Sequence, residues 1–343
     1  MKAVVVERFG APSELAFKEW HRPAVKAGEV LVEVHAAGLN FPDVLVAAGK
    51  YQTLPPLPFV PGKELAGIVT AVGDGVANFK RGDRVLCQCE NGAFAELVAV
   101  RQEDCCLLPD DLPMVKAAAM GLTYQTAWFG LMERAHLKPG ETVLVTGAGG
   151  GVGTAAMQIA KAQGCRVLAG LGSMEKRDFV LGLGADAVID MSGGDLHESV
   201  RRQVHGATGG HGADVVIENV GGAVFGACLR ALAWAGRLVV VGFTSGEIPS
   251  VKANYLLIKH ITVAGLHWSD YREKMPDAMR EAQEELFRLT SLGKIDPPIS
   301  AAMPIEKVAA GMECILQRKV RGKVVLVTER GRAAGIAIAD DAG

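Results

Sequence analysis

The stretch 143–153 limits what this chain can fold into more than any other. Val143-Leu144-Val145-Thr146 reads as a buried strand and runs straight into Gly147-Ala148-Gly149-Gly150-Gly151-Val152-Gly153. A helical run follows at 152–163 and stops at Gly164, a residue suited to ending a helix. Strand, glycine cluster and helix in this order form the turn that lets backbone N–H groups approach a pyrophosphate at a helix N-terminus. Ala148, Gly150 and Gly153 occupy the three places of a G-x-G-x-x-G fingerprint, with alanine in the first. Gly151 and Val152 complete the approach.

The rest of the chain fits a βαβ frame around this turn. After 142–146, short apolar strands at 166–169, 187–189, 215–218 and 238–241 alternate with helical stretches at 175–183, 196–204 and 224–233. Such alternation predicts a doubly wound parallel sheet, an α/β fold. The first third differs. Strands at 3–6, 29–36, 67–72, 84–87 and 93–100 are separated by glycine and proline turns, which predicts a compact β domain of the kind that forms a partly closed barrel. One or two helices fit 115–135, long helices fit 276–292 and 305–317, and a last strand fits 323–327. At 343 residues the chain is long enough for two domains.

The tip of the second strand selects the cofactor. NAD-preferring folds carry Asp or Glu there to hold the ribose 2′-hydroxyl. Here the tip is Ala169-Gly170-Leu171-Gly172-Ser173, followed by Lys176 and Arg177. A hydroxyl and a cation in place of a carboxylate suit a 2′-phosphate, so NADPH is expected, clamped by Ser173 and Lys176. The alternative is that Lys176 and Arg177 form a solvated helix face.

Several further motifs resemble one family. Pro61-Gly62-Lys63-Glu64-Leu65-Ala66-Gly67-Ile68-Val69, Gly38-Leu39-Asn40-Phe41-Pro42-Asp43 and Gly82-Asp83-Arg84-Val85 are similar to the zeta-crystallin-like quinone oxidoreductases of the medium-chain dehydrogenase/reductase superfamily. So are the segment 241–250 and the closing Gln317-Arg318-Lys319 with Gly322-Lys323-Val324. The resemblance covers residues 1–328. It implies a GroES-like catalytic domain built from 1–120 and 267–330, with a Rossmann domain at 121–266 inserted. A frayed tail is expected at 331–343. The family also implies an active site between the two domains and a homodimer formed by sheet extension, with 262–266 at that edge.

Zinc-dependent relatives have Cys and His where this chain has Asn40 and Lys63. An amide and an ammonium do not replace thiolate and imidazole as zinc ligands. Cys87, Cys89, Cys105 and Cys106 lack the spacing of a four-cysteine site. No metal is expected.

By resemblance, Asn40 and Tyr51 line the substrate side of the nicotinamide. Tyr51 either donates to a carbonyl oxygen or packs on the prolines of 54–58. Thr126, Asn219, Gly242, Phe243 and Arg318 match family positions near the cofactor. Leu45 and Met191 stand where relatives often have tyrosines. His267 is either a border of the cleft or a surface or interface histidine.

The expected reaction is hydride transfer from NADPH to a quinone or a similar electron-poor acceptor. Alternatives are reduction of an α,β-unsaturated carbonyl or enoyl thioester, and an NADPH-binding structural or RNA-associated role. A formal net charge of −2 offers no basic field for nucleic acid. Seven scattered cysteines, the absence of a signal-peptide pattern and the lack of a long apolar run suggest a cytoplasmic protein without a membrane span.

Overall fold

A computed structural model of the protein describes residues 1–338. The chain divides into two compact units. Of the described residues, one comprises Met1–Leu122, Ser269–Phe287 and 297–338; the other comprises Thr123–Trp268 and Arg288–Asp296.

The second unit is built on a six-stranded sheet, every pairing of which is parallel. Its order is Ala187–Asp190, Arg166–Leu171, Thr142–Thr146, Ala213–Glu218, Leu232–Val240 and Thr262–Gly265. Strand order therefore reverses between Thr142–Thr146 and Ala213–Glu218, the crevice where doubly wound sheets bind ligands. Leu144, Leu168, Val216 and Leu238 are fully buried on neighbouring strands, each contributing roughly 1.5–3 kcal/mol by burial. The helix Gly151–Ala162 turns Ala155, Ala156, Met157, Ile159 and Ala160 inward. Small residues there bring it close to the sheet.

Arg288–Asp296 joins this unit, although the family resemblance implied that all of 267–330 belongs to the other domain. Gln158 ties the end of this segment to the unit. Its Oε1 accepts the Asp296 N–H (2.8 Å) and the Tyr124 hydroxyl (3.0 Å), while its Nε2 donates to the Asp296 carbonyl (2.9 Å).

The helix expected at 224–233 forms as Gly222–Ala231, and the next strand starts at once, at Leu232. Ala235 adopts a left-handed φ of 60°, and the register with Ala213–Glu218 shifts nearby. That bulge leaves Trp234 outside and hid the early half of the strand from a pattern search.

In the first unit, Ile299–Pro304, Lys323–Val327, Glu29–Leu39, Glu64–Val72, Arg84–Gln88 and Cys105–Leu107 lie side by side, and Leu97–Arg101 also pairs with Glu29–Leu39. The pairings are antiparallel except that of Ile299–Pro304 with Lys323–Val327. Strands from early and late in the chain thus build one sheet. Val4, Val32, Leu65, Val85, Phe94 and Leu326 belong to its core.

The helix Phe41–Ala47 was not anticipated. Asn40 precedes it in extended conformation, and Asp43 accepts the Asn40 N–H (2.8 Å), with Pro42 in the first turn. This is a helix start written in Asn-x-x-Asp.

The frayed tail does not begin at residue 331. Thr328 caps the helix Glu329–Ala333 by accepting the Gly331 N–H (3.1 Å). Gly331 lies so close to the His35 carbonyl that a Cβ would stand 2.1 Å from its oxygen. Residues 339–343 of the expected tail lie outside the described residues. Among the described residues, no helix is long and apolar enough to cross a membrane.

Candidate functional site

The glycine-rich turn follows Thr142–Thr146 at the point of strand reversal. The left-handed residue of the turn is Gly147, at φ 59°. The sequence placed the tight-turn position one residue later, at Ala148, which is instead buried with an ordinary backbone. Gly150 is the N-cap of Gly151–Ala162, and the Thr154 N–H bonds back to its carbonyl (2.8 Å). The N–H groups of Gly151, Val152 and Gly153 come before that bond, so no helical carbonyl precedes them to accept. A Cβ on Gly153 would stand 2.3 Å from the Gly147 carbonyl oxygen and 2.7 Å from the Ala148 Cα. Helix and strand can meet this closely only at glycine.

Lys176 lies across the same turn. A Cβ on Gly149 would meet the Lys176 Cδ at 2.6 Å. Its stem therefore rests on the glycine loop and is not a solvated helix face, whereas Arg177 is exposed. Ser173 begins the short helix Met174–Lys176, its Oγ accepting the Glu175 N–H (3.4 Å). Met191 packs under Gly170, where a Cβ would be 2.6 Å from its methyl carbon.

Across the reversal, Asn219 braces the two strand ends. Its backbone N–H donates to the Thr146 hydroxyl and its Nδ2 to the Thr146 carbonyl, both at 2.8 Å. Behind it Glu218 is fully buried and accepts from the Thr146 hydroxyl and from the Val220 and Gly221 N–H groups. Burial raises the Glu218 pKa, and these donors oppose the shift. Gly242 lies against the Asn219 carbonyl, and Phe243 accepts the Gly246 N–H through its backbone oxygen (2.8 Å). Thr126 is buried on the helix Gly121–Trp128. His267 is exposed, while Trp268 is buried and donates to Gln125 (3.2 Å).

Asn40, Tyr51 and Arg318 belong to the first unit. Arg318 is exposed at the end of the helix Val308–Leu316 and holds a left-handed φ of 58°. Asn40 is buried. Its Nδ2 donates to Glu64 Oε1 (2.8 Å) and to the Gly38 carbonyl (3.2 Å), and its Oδ1 accepts from Lys323 (2.6 Å). Both N–H bonds of the amide are therefore committed, and what remains is a lone pair on Oδ1.

Glu64 is the centre of this group and is 0% exposed. It also pairs with Lys323 (2.7 Å) and accepts the Leu122 N–H (2.7 Å). Lys323 spends its third N–H on the Leu39 carbonyl (3.1 Å). Gly38 and Gly121 leave room for the carboxylate, since a Cβ on either would come within 2.5 or 3.0 Å of its oxygens. The sequence reading missed this hub. Its visible signal was a charged residue opening each of two apolar strands, Glu64–Val72 and Lys323–Val327.

Beside it, Asp43 is buried, and desolvation lifts its carboxyl to about 7 against the pull of Lys63 and the Asn40 N–H. Lys63 ion-pairs with Glu90, whose other oxygen accepts from Arg272 (3.2 Å). Tyr51 has its pKa raised by burial, then by Glu90 and Asp43, with Arg272 opposing.

Known proteins carry the same architecture. Residues 151–284 match the family model described as zinc-binding dehydrogenase, and 26–110 match the alcohol dehydrogenase GroES-like domain. A quinone oxidoreductase-like protein 2 homolog from Nematostella vectensis is 40% identical over 96% of this chain and 89% of its own length. The Escherichia coli quinone oxidoreductase complexed with NADPH superposes with a TM-score of 0.88 at 30% identity, over 95% of this chain and 100% of that one. A mycobacterial protein complexed with NADPH superposes at 0.89 with 31% identity, over the same shares.

Proposed function

The chain belongs to the quinone oxidoreductase branch of the medium-chain dehydrogenase/reductase superfamily, and from that premise we propose an NADPH-dependent, metal-independent reductase that delivers hydride to a quinone or similarly electron-poor acceptor. The observation that carries the cofactor is the glycine cradle crossed by Lys176. The N–H groups of Gly151, Val152 and Gly153 face a pyrophosphate. Ser173 and Lys176 hold a 2′-phosphate at a tip with no carboxylate to repel it. Thr126, Asn219, Gly242 and Phe243 border the nicotinamide end. When bound, the cofactor supplies the hydride.

Metal independence rests on the donors. Asn40 and Lys63 stand where zinc-dependent relatives carry Cys and His, and both are committed to internal partners. The chain's own groups then do the polar work. Tyr51 is the O–H donor to the acceptor oxygen. Asn40 offers only an acceptor, which orients a substrate hydroxyl or a water.

The test follows NADPH oxidation with benzoquinone, a naphthoquinone, an alkenal and an enoyl thioester, with and without EDTA. Rapid quinone turnover that survives chelation is the expected result. Turnover confined to alkenal or thioester would replace the acceptor. Lys176→Ala should weaken NADPH about tenfold, a loss of charge-assisted hydrogen bonding, and leave NADH unchanged. Equal effects on both cofactors would remove the clamp.

We further propose a homodimer through Thr262–Gly265, the outer strand of the parallel sheet. Around it Trp234, Leu257 and Ile258 are 74%, 76% and 72% exposed, large apolar faces that association would cover. Leu257→Asp with Ile258→Asp should convert a dimer to monomer in light scattering. A dimer of unchanged strength would place the interface elsewhere.

A further inference from the structure

Lys63 is a buried cation that faces Glu90, Asp43 and the Tyr51 ring. It is 2% exposed, while the side chain of its ion-pair partner Glu90 is 37% exposed. Glu90 has access to water and shares Arg272 with Glu273 and Asp104. Burying an ammonium is costly unless charged and aromatic partners surround it. The ammonium donates to the Glu90 carboxylate and carbonyl, and it stands 5.2 Å from the centroid of the Tyr51 ring. That is cation–π range. The Tyr51 hydroxyl makes no hydrogen bond to another described residue, so its proton is available.

We propose that Lys63 is a positioning residue for Tyr51, holding the ring and offsetting the negative charge it carries when its proton is given up. This rests on the reductase reading. Hydride arriving at the acceptor brings two electrons and leaves an anionic oxygen. The Tyr51 O–H bond breaks, its proton forms the new O–H bond on the acceptor, and the electron pair stays on the phenolate. Water returns the proton afterwards. Glu90 and Asp43 bear on the ring with negative charge, Arg272 with positive. Lys63 is the cation at the ring itself.

The experiment is a double-mutant cycle of Lys63→Met and Tyr51→Phe, with Lys63→Arg as the charge-keeping variant. Lys63→Met should lower kcat about tenfold with KM little changed, the scale of a desolvated cation–π contact. In the Tyr51→Phe background the same change should cost less than about twofold. Lys63→Arg should recover most of the rate. Equal losses in both backgrounds overturn the proposal. Should Lys63→Met fail to fold, Lys63→Gln is read the same way.

A second readout needs no turnover. The tyrosinate absorbance of Tyr51, taken as wild type minus Tyr51→Phe, should appear at higher pH once Lys63 is methionine. An unmoved titration overturns the proposal, whereas a wild type silent with every acceptor removes the reductase reading alone.

Discussion

Gly153→Ala should lose NADPH binding by at least about a hundredfold in fluorescence titration. The added carbon would stand 2.3 Å from the Gly147 oxygen and 2.7 Å from the Ala148 Cα, and both are backbone. No rotamer relieves the clash. The helix Gly151–Ala162 must move away from the turn that cradles the phosphates. Its first N–H groups then point past the pyrophosphate, and hydrogen bonds to a charged partner are worth about 1.5–3 kcal/mol each. Loss of two gives the stated factor. Gly149→Ala offers a control of a different kind, because its nearest atom is the flexible Lys176 stem. It should loosen NADPH less than Gly153→Ala does. Equal affinity for wild type and Gly153→Ala would mean that the nucleotide binds elsewhere.

Glu64→Gln should destabilise the first unit by about 3–5 kcal/mol, the usual cost of leaving a buried ion without its partner. Lys323 would keep its ammonium beside Asn40 Oδ1 and the Leu39 carbonyl with no counter-charge. The Leu122 N–H would keep an acceptor only if the new amide turned its oxygen that way. Denaturant unfolding measures the change. Pairing Glu64→Leu with Lys323→Met should recover much of the loss, because it removes both charges together. A small effect from Glu64→Gln alone would show that the pair is not needed as an ion pair. Asn40 should be misplaced in both variants, since both remove its partners.

The sequence announced what lies in consecutive residues. The glycine turn, its strand and its helix are adjacent, and so are the missing carboxylate at Ser173 and the cation at Lys176. The parallel sheet followed from strand and helix periods repeated around that turn. The Glu64 hub was illegible because Asn40, Glu64, Leu122 and Lys323 are far apart in sequence and meet only through sheet pairing. Lys63 was read for the zinc ligand it replaces, and nothing local revealed Tyr51 beside it. The strand Leu232–Val240 was half seen, since a left-handed Ala235 breaks the alternation on which such readings depend. Arg288–Asp296 went to the other unit, and the two hydrogen bonds that tie Asp296 to Gln158 leave no periodic mark.

The ion pair at Glu64 also has an order in time. A ribosome makes the carboxylate 259 residues before the ammonium that neutralises it. Every strand of the parallel sheet lies between Thr142 and Gly265 and has emerged well before Lys323. The first unit is therefore the first to be started and the last to be completed. A chain halted anywhere short of Lys323 lacks the cation that pairs with Glu64 in the finished unit.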